Sequence, residues 1–311
     1  MRYGFGVDVG GTSVKMGLFD LQGNVLDKWD IRTRVANEGK EILPDVSRAI
    51  HLKIKEKNII KNDIIGIGVG VPAPVNVEGV VKGSANLGWN YKHVRQELEE
   101  LTGLKSVIGN DANIAALGEM WKGGGGGQKN MVMVTLGTGV GGGIIVDGKV
   151  LVGAHGAGGE IGHIKVKDHE TATCGCGGHG CLEQYASATG IVRIGKIALA
   201  KEARKTVLNP ERMSAKSIFD AVKIGDEPAI DIAKEFGGFL GKGLAMIATL
   251  VDPTVFVIGG GVSRAGEILL PFIIEPYLKW AFFGNKETDF VLATLGNDAG
   301  IYGSMKLLLD S

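Results

Sequence analysis

Two stretches of the chain, GVDVGGTSVKMGLFDLQGNVL at residues 6–26 and MVTLGTGVGGGIIVDGKVL at residues 133–151, share one pattern. Each is a short apolar run, a glycine turn, a second apolar run and a polar turn that opens a third run, as in a β-meander. When the second stretch is closed by two residues near its polar turn, Asp8 aligns with Thr135, Gly10 with Gly137 and Asp20 with Asp147. Two copies of one β-meander motif predict two related lobes.

Chance similarity is the competing explanation, since 51 of the 311 residues are glycine. The matched turn positions favour duplication. The rest of the chain alternates helices and strands, a pattern typical of α/β proteins with parallel sheets. Helices are predicted at 39–58, 91–102, 112–121, 184–205, 214–223, 226–251 and after Ser263, and strands at 64–71, 106–110 and 254–260.

The overall composition argues against several classes of partner. The chain has 34 basic and 34 acidic side chains and no long basic run, so it lacks the electrostatic signature of a protein that binds nucleic acid or an anionic membrane. The start lacks a secretory signal, and no run of about 18 apolar residues occurs. We therefore expect a cytoplasmic protein that acts on small molecules.

Two common nucleotide-binding motifs are excluded. The P-loop pattern GxxxxGK followed by Ser or Thr does not occur. A GxGxxG occurs at Gly137, Gly139 and Gly142, but a dinucleotide fingerprint must open a helix, and here a second strand follows.

The glycine turns themselves are the better candidates for binding phosphate, since bare backbone can approach an anion closely and donate N–H groups to it. The first glycine turn is Gly10, Gly11 and Thr12, and the second is Gly137, Thr138 and Gly139. Asp8 is placed to hold hydrated Mg²⁺ against phosphate oxygens. The third glycine segment, Gly259, Gly260 and Gly261, follows a predicted strand and would contact the adenosine of ATP. An ordinary tight hairpin is the alternative for the first turn.

The three cysteines of the chain lie together as Cys174, Cys176 and Cys181 in CGCGGHGCLE. An odd, closely spaced set is poorly suited to disulfides, and three thiolates at this spacing suit one tetrahedral zinc ion. The spacing leaves His163, His169 and His179 open as the fourth ligand.

Seven motifs in this order resemble the ROK sugar kinases of the hexokinase, actin and heat-shock ATPase superfamily, and the bacterial ATP-dependent glucokinases among them. The resemblance covers essentially the whole chain. The motifs are DVGGT (8–12), NLGW (86–89), GNDAN (109–113), TLGTGVGGG (135–143), GGEIGH (158–163), CGCGGHGCLE (174–183) and IGGGVS (258–263). ROK repressors carry an N-terminal helix-turn-helix, and DVGGT at residue 8 leaves no room for one, so we expect the kinase branch.

The resemblance implies a two-lobed, actin-like (ribonuclease H-like) α/β fold with the active site in a cleft between the lobes. We expect a small lobe at 1–117 completed by a C-terminal helix at 297–311, and a large lobe at 118–296 that carries the zinc loop. It also implies a homo-oligomer, a dimer or a tetramer.

The same resemblance assigns roles to individual residues. It makes Asp111 the catalytic base and His163 the fourth zinc ligand in a closed structural site. It also gives a set of sugar contacts, namely Asn86, Asn110, Asp111, Glu160, His163 and Glu183. From position alone, Asn110 or Asp111 could instead simply cap the helix that follows.

The implied activity is ATP- and Mg²⁺-dependent phosphorylation of glucose to glucose 6-phosphate, with a structural Zn²⁺. Two alternatives share most of these features. One is a ROK kinase for another hexose, such as N-acetylmannosamine, fructose or allose. The other is a sugar sensor without catalysis, which would need neither a base nor two phosphate turns.

Overall fold

The structure is a computed structural model that describes residues 1–201 and 204–311. The chain divides into two compact units. Unit 1 comprises residues 1–127, 150–158 and 295–311, and unit 2 comprises residues 128–149 and 159–294.

Unit 1 is built on a five-stranded sheet in the order β3-β2-β1-β4-β7. Its strands are β1 (Tyr3–Val9), β2 (Ser13–Asp20), β3 (Val25–Arg32), β4 (Ile64–Val71) and β7 (Ser106–Asn110), with a separate hairpin of β5 (Val80–Val81) and β6 (Lys92–His93). Its helices are α1 (Ile42–Glu56), α2 (Val94–Thr102), α3 (Asp111–Lys122) and α9 (Ala299–Leu309). The first three strands are antiparallel and β4 and β7 are parallel to β1, so the carboxyl ends of β1 and β7 lie at one edge.

Unit 2 repeats this topology in the order β10-β9-β8-β11-β12. Its sheet contains β8 (Met131–Leu136), β9 (Val140–Val146), β10 (Lys149–Val150), β11 (Val255–Gly259) and β12 (Asp289–Leu292). Its helices are α4 (Glu183–Ala186), α5 (Ala188–Lys201), α6 (Ala215–Lys223), α7 (Glu227–Val251) and α8 (Leu269–Trp280). The matching strand orders confirm the duplication predicted from the two stretches, and β9 directly after the second glycine turn confirms that GxGxxG here opens no helix.

One predicted element is wrong. The single helix predicted at 184–205 is two helices, α4 and α5, and its residues 202 and 203 lie outside the described residues. Ser187 interrupts it, because its backbone is extended (ψ 170°) and its hydroxyl accepts a hydrogen bond from the Gly190 N–H at 2.9 Å. A serine in this geometry caps a new helix rather than continuing the old one.

Each unit has its own apolar core. In unit 1, the sheet residues Phe5, Val7 and Val69 are fully buried, and Trp89 is 3% exposed, as expected for a core tryptophan. In unit 2, α7 carries a buried face that includes Phe236 and Leu240. Among the described residues, no helix has both the length and the apolar character needed to cross a lipid bilayer.

Candidate active site

Two acidic residues lie at the same edge of the unit 1 sheet. Asp8 is near the end of β1, and Asp111 begins α3 directly after β7. Burial raises the pKa of Asp8 from 3.8 to about 6; the neighbouring Lys15, its partner across the β1–β2 pair, lowers this pKa, and the charge of Asp111 raises it. The two carboxyl groups are therefore close enough to interact electrostatically.

The carboxyl group of Asp8 lies against the first turn of α9. A Cβ atom added to Gly300 would lie 2.4 Å from Asp8 Cγ and 2.5 Å from its Oδ2, so only glycine leaves room for this carboxyl group. Helix α9 is itself fixed to β1 by Ser304, whose hydroxyl donates to the Val7 carbonyl oxygen at 2.8 Å. Gly300 thus positions Asp8, a role that no sequence motif indicated.

If Asp8 holds Mg²⁺ against the phosphates of ATP, as the sequence predicts, Gly300→Ala should raise the KM for Mg·ATP and lower kcat/KM for ATP by about ten- to a hundredfold, because small misplacements of reacting groups carry penalties of this size. Steady-state kinetics with varied Mg·ATP will measure it. Gly238→Ala in α7 is the control, since its added Cβ meets nothing within 4 Å. Equal kinetics for the two variants would contradict the positioning role.

Asn110 caps α3, the simpler of the two roles considered from the sequence. Its Oδ1 accepts from the N–H groups of Ala112 at 3.0 Å and Asn113 at 3.2 Å, and its Nδ2 donates to the Ala73 carbonyl oxygen at 3.2 Å. Because Nδ2 has a second hydrogen, a sugar contact stays a prediction. Asp111 Oδ1 accepts from Ala112 N at 2.8 Å, which orients its carboxylate at the helix start.

The first glycine turn is an exposed loop with a fixed base. Thr33 donates its hydroxyl to the Gly10 carbonyl oxygen at 2.6 Å, and the Thr33 N–H donates to the Thr12 carbonyl oxygen at 3.0 Å. Exposed Asn86 lies beside this turn, with its backbone oxygen 3.4 Å from the position of a Cβ on Gly11. These contacts hold the turn from one side, and Gly11 and Thr12 face solvent on the other.

The second glycine turn is anchored to the start of α5. The Ala188 N–H donates to the Gly137 carbonyl oxygen at 2.8 Å, and the Thr189 hydroxyl donates to the Thr138 carbonyl oxygen at 2.8 Å. The carbonyl groups of Gly137 and Thr138 thus accept from the start of α5, and the Gly137 N–H donates to the Gly139 carbonyl oxygen at 3.0 Å within the turn. The N–H groups of Thr138 and Gly139 are therefore the candidates for binding an anion.

The third glycine segment lies beside the second turn within unit 2. Gly260 has φ +86°, and a Cβ on it would lie 2.6 Å from the Leu136 backbone nitrogen, so glycine is required on both counts. A cavity of about 440 Å³ opens next to Gly261, between α6 and residues 261–265. Sequence reasoning missed α6 as part of this region, since it carries no nucleotide motif.

Three of the predicted sugar contacts are in unit 2. Glu183 Oε2 accepts the Val140 N–H at 3.1 Å, directly after the second glycine turn. His163 Nε2 lies 3.9 Å from Glu160 Oε2, and His163 Nδ1 lies 3.8 Å from Cys174 Sγ. One ring nitrogen of His163 thus faces a thiol and the other faces a carboxylate.

The ligand atoms of His163, Cys174, Cys176 and Cys181 all lie within 4.8 Å of one another; we call this group the four-ligand cluster. The sulfur atoms of Cys176 and Cys181 are 3.6 Å apart. Tetrahedral zinc with Zn–S bonds of about 2.3 Å requires sulfur separations of about 3.8 Å. The cluster therefore fits zinc.

Of the histidines left open by the spacing, the structure brings His163 to the cysteines. His179 Nδ1 instead lies 3.1 Å from the Ala172 carbonyl oxygen. Burial raises the pKa of the Cys174 thiol to about 12, so in the metal-free chain this thiol keeps its proton, which a bound ion would replace.

Comparisons with known proteins cover nearly the whole chain. Residues 4–311 match the ROK family. The chain is 41% identical to a glucokinase of Halalkalibacterium halodurans, over 97% of this chain and 93% of the relative. It is 36% identical to a glucokinase of Streptomyces coelicolor, over 97% and 96%.

The fold also matches solved structures. A ROK glucokinase of Streptomyces griseus in complex with glucose and AMPPNP has a TM-score of 0.76 at 33% identity, with 98% of both chains covered. A ROK hexokinase of Thermus thermophilus has a TM-score of 0.83 at 30% identity, with 98% of this chain and 97% of that chain covered.

Proposed function

The chain belongs to the ROK family, and we propose that it is a glucokinase that transfers the terminal phosphoryl group of ATP to a hydroxyl of glucose. It has the actin-like ATPase fold and is an ATP-dependent hexose kinase. The supporting observation is the interacting pair Asp8 and Asp111 at one sheet edge. Phosphoryl transfer to an alcohol needs one carboxylate for the metal and one to accept the hydroxyl proton.

Each residue of the pair has its own role in this proposal. Asp111 accepts the proton of the attacking hydroxyl, and its bond to Ala112 N keeps one oxygen oriented. Asp8 holds hydrated Mg²⁺, an ion that neutralises phosphate charge when bound. The first and second glycine turns bind phosphate oxygens through backbone N–H groups. The third glycine segment and the cavity beside α6 receive the adenosine.

Sugar recognition uses side chains of both kinds, acceptors and donors. We assign the hydroxyl contacts to Asn86, Asn110, Asp111, Glu160, His163 and Glu183. Glu183 has a second task, since its bond to Val140 N fixes the backbone directly after the second glycine turn. A residue that contacts both the sugar and the backbone of a phosphate turn would align donor and acceptor.

The direct test is ADP release from ATP and Mg²⁺, measured against glucose, mannose, fructose, allose, N-acetylmannosamine and N-acetylglucosamine. We expect kcat/KM to be highest with glucose. A higher value with another hexose would replace glucose as the substrate and leave the kinase assignment intact. ADP release with none of them would reject catalysis.

We also propose that the four-ligand cluster holds a structural Zn²⁺. His163, Cys174, Cys176 and Cys181 would be its ligands, without a free position for water. Glu160 is three residues before one ligand and Glu183 is two residues after another, so the ion would fix both carboxylates. Zinc would therefore organise sugar recognition.

We expect the purified protein to contain one zinc per chain. Cys176→Ser should raise the KM for glucose by at least about tenfold, since loss of a metal ligand should cost no less than loss of a ligand's hydrogen-bond partner, about ten- to a hundredfold. Elemental analysis and glucose kinetics will measure this. His179→Ala is the control, because His179 is outside the cluster. Unchanged glucose kinetics in zinc-depleted protein would show that the ion only stabilises the local structure and has no part in sugar recognition.

An apolar patch on unit 2 is the surface we propose for homo-oligomer assembly. It consists of Met246, Leu250, Leu278, Trp280, Phe282 and Phe283, and Leu250 and Phe283 are 81% and 79% exposed. Within this set, the Phe282 and Phe283 rings are 4.1 Å apart, and Lys242, one turn before Met246 on α7, lies over Trp280. An exposed apolar patch of this kind marks an interaction surface.

We expect Phe283→Glu to shift the protein to monomers, because a charge would be buried without a partner at the interface. Light scattering coupled to size-exclusion chromatography will measure the mass. Val77→Glu is the control, as Val77 is also exposed but lies in unit 1. An unchanged mass for Phe283→Glu would place any interface elsewhere.

A further inference from the structure

Lys165 lies directly on the four-ligand cluster. Its Nζ donates a hydrogen bond to Cys181 Sγ at 2.9 Å. The backbones of Lys165 and Cys181 also form an isolated antiparallel bridge. A Cβ on Gly178 would lie 2.5 Å from Lys165 Nζ and 3.5 Å from Cys176 Sγ, so the bare backbone at this position leaves room for the ammonium group beside the sulfurs.

The negative charge of the metal-loaded cluster explains why a cationic side chain would be favoured at this contact. Three thiolates and one neutral imidazole around a divalent ion carry a net charge of minus one, close to the carboxyl group of Glu183. An ammonium group in hydrogen-bond contact with a thiolate neutralises that charge. It also draws electron density from the sulfur, which makes the thiolate a weaker nucleophile toward electrophiles and helps to hold it in place as a ligand.

We propose that Lys165 is a positioning residue of the metal centre, whose N–H···S bond to Cys181 slows loss of the ion and protects the thiolates from electrophiles. This inference rests on the zinc site proposed above. Lys165 is solvent-exposed, but its ammonium group is still in contact with the cluster, because Nζ and Cys181 Sγ are at hydrogen-bond distance.

Lys167 shows what an exposed lysine of the same segment does without this contact. It is two residues away and also exposed, and its Nζ lies 5.3 Å from the Tyr185 ring centre. The two lysines carry the same charge on the same segment, so Lys167→Met is the matched control for Lys165→Met.

The experiment measures the rate of zinc transfer from the purified full chain to a chromophoric chelator. We expect Lys165→Met to release zinc about ten- to a hundredfold faster than the unmodified protein, the range for loss of a hydrogen bond to a metal ligand. Lys165→Arg, which keeps a cationic donor, should stay within a few-fold. Lys167→Met should match the unmodified protein.

A second readout reports on the sulfur itself. In cobalt-substituted protein, Lys165→Met should shift the thiolate-to-metal charge-transfer bands to longer wavelength, because a thiolate without the hydrogen bond gives up electron density more readily. Iodoacetamide should also alkylate the cysteines faster in this variant. The two readouts are repeated at high salt, where the effects of distant charges are screened. If Lys165 acted only through its charge, Lys165→Met would then change neither the cobalt charge-transfer bands nor the rate of zinc release.

Each outcome is decisive. Equal release rates and equal cobalt spectra for Lys165→Met and the unmodified protein would overturn the proposal. Equal acceleration by Lys167→Met would assign the effect to general charge and overturn it as well. The zinc content of the unmodified protein is measured first, so failure of the underlying zinc site is distinguished from failure of the role of Lys165.

Discussion

Asp111→Asn should lower kcat by about a hundred- to ten-thousandfold, the usual contribution of a positioned general base. The amide keeps the shape of the carboxyl group and can still accept the hydrogen bond from Ala112 N, so α3 should begin as before. What the variant loses is the capacity to accept the hydroxyl proton. Glucose binding should remain measurable, since the other proposed sugar contacts are unchanged in this variant.

The measurement is kcat from coupled ADP release, together with glucose affinity from calorimetry on the same preparations. Asp310→Asn is the control, because Asp310 is on the surface at the end of α9 and pairs with Lys306. A kcat within threefold of the unmodified protein would remove Asp111 as the base. Weaker glucose binding with an unchanged kcat at saturation would make Asp111 a binding residue only.

Much of the fold could be predicted because the sequence contains an internal repeat. The two matched stretches predicted two meanders, and the two sheets have the same strand order. Local signals sufficed for β4, whose predicted bounds match its observed range of Ile64–Val71. The error at Ser187 has a local cause that periodicity does not show, since the residues on both sides are apolar enough for one continuous helix.

The site could be predicted only where its residues carry chemistry in the sequence. The cysteine spacing pointed to a metal, and the structure joined His163 to it. Gly300 and Lys165 gave no such signal, because the role proposed for each depends on a contact with a residue that is distant in sequence or across a loop. Packing of α9 against Asp8 spans nearly the whole chain, which no local pattern encodes.

Asp8→Asn should abolish turnover and yet stabilise the nucleotide-free protein at neutral pH. The pKa of Asp8 is raised by burial from 3.8 to about 6, so the folded state binds this proton more tightly than the unfolded state does. Two pKa units correspond to roughly 3 kcal/mol. Removing the charge should therefore raise the free energy of unfolding at pH 7 and above by up to roughly 3 kcal/mol.

The upward shift of the Asp8 pKa on folding determines how the stability difference depends on pH. Below about pH 4, Asp8 is protonated in both states and imposes no penalty, so variant and unmodified protein should be equally stable. Between pH 4 and 6 the unfolded state loses its proton first, and the unmodified protein loses stability relative to the variant. Denaturant unfolding at pH 4.5, 6 and 8 will measure a difference that grows with pH.

Asp20 is the matched control, since it is in the same sheet and its pKa is shifted the other way. Burial opposes its ionisation, but hydrogen bonds from Asn24, Gln22 and Gly23 hold its pKa below the usual value. Asp20→Asn should therefore destabilise the protein at neutral pH and lose this effect as the pH falls.

Mg·ATP should stabilise the Asp20 variant but not the Asp8 variant. If Asp8→Asn destabilises the protein at pH 8, the buried charge of Asp8 is already compensated in the nucleotide-free state, and the raised pKa of Asp8 is contradicted.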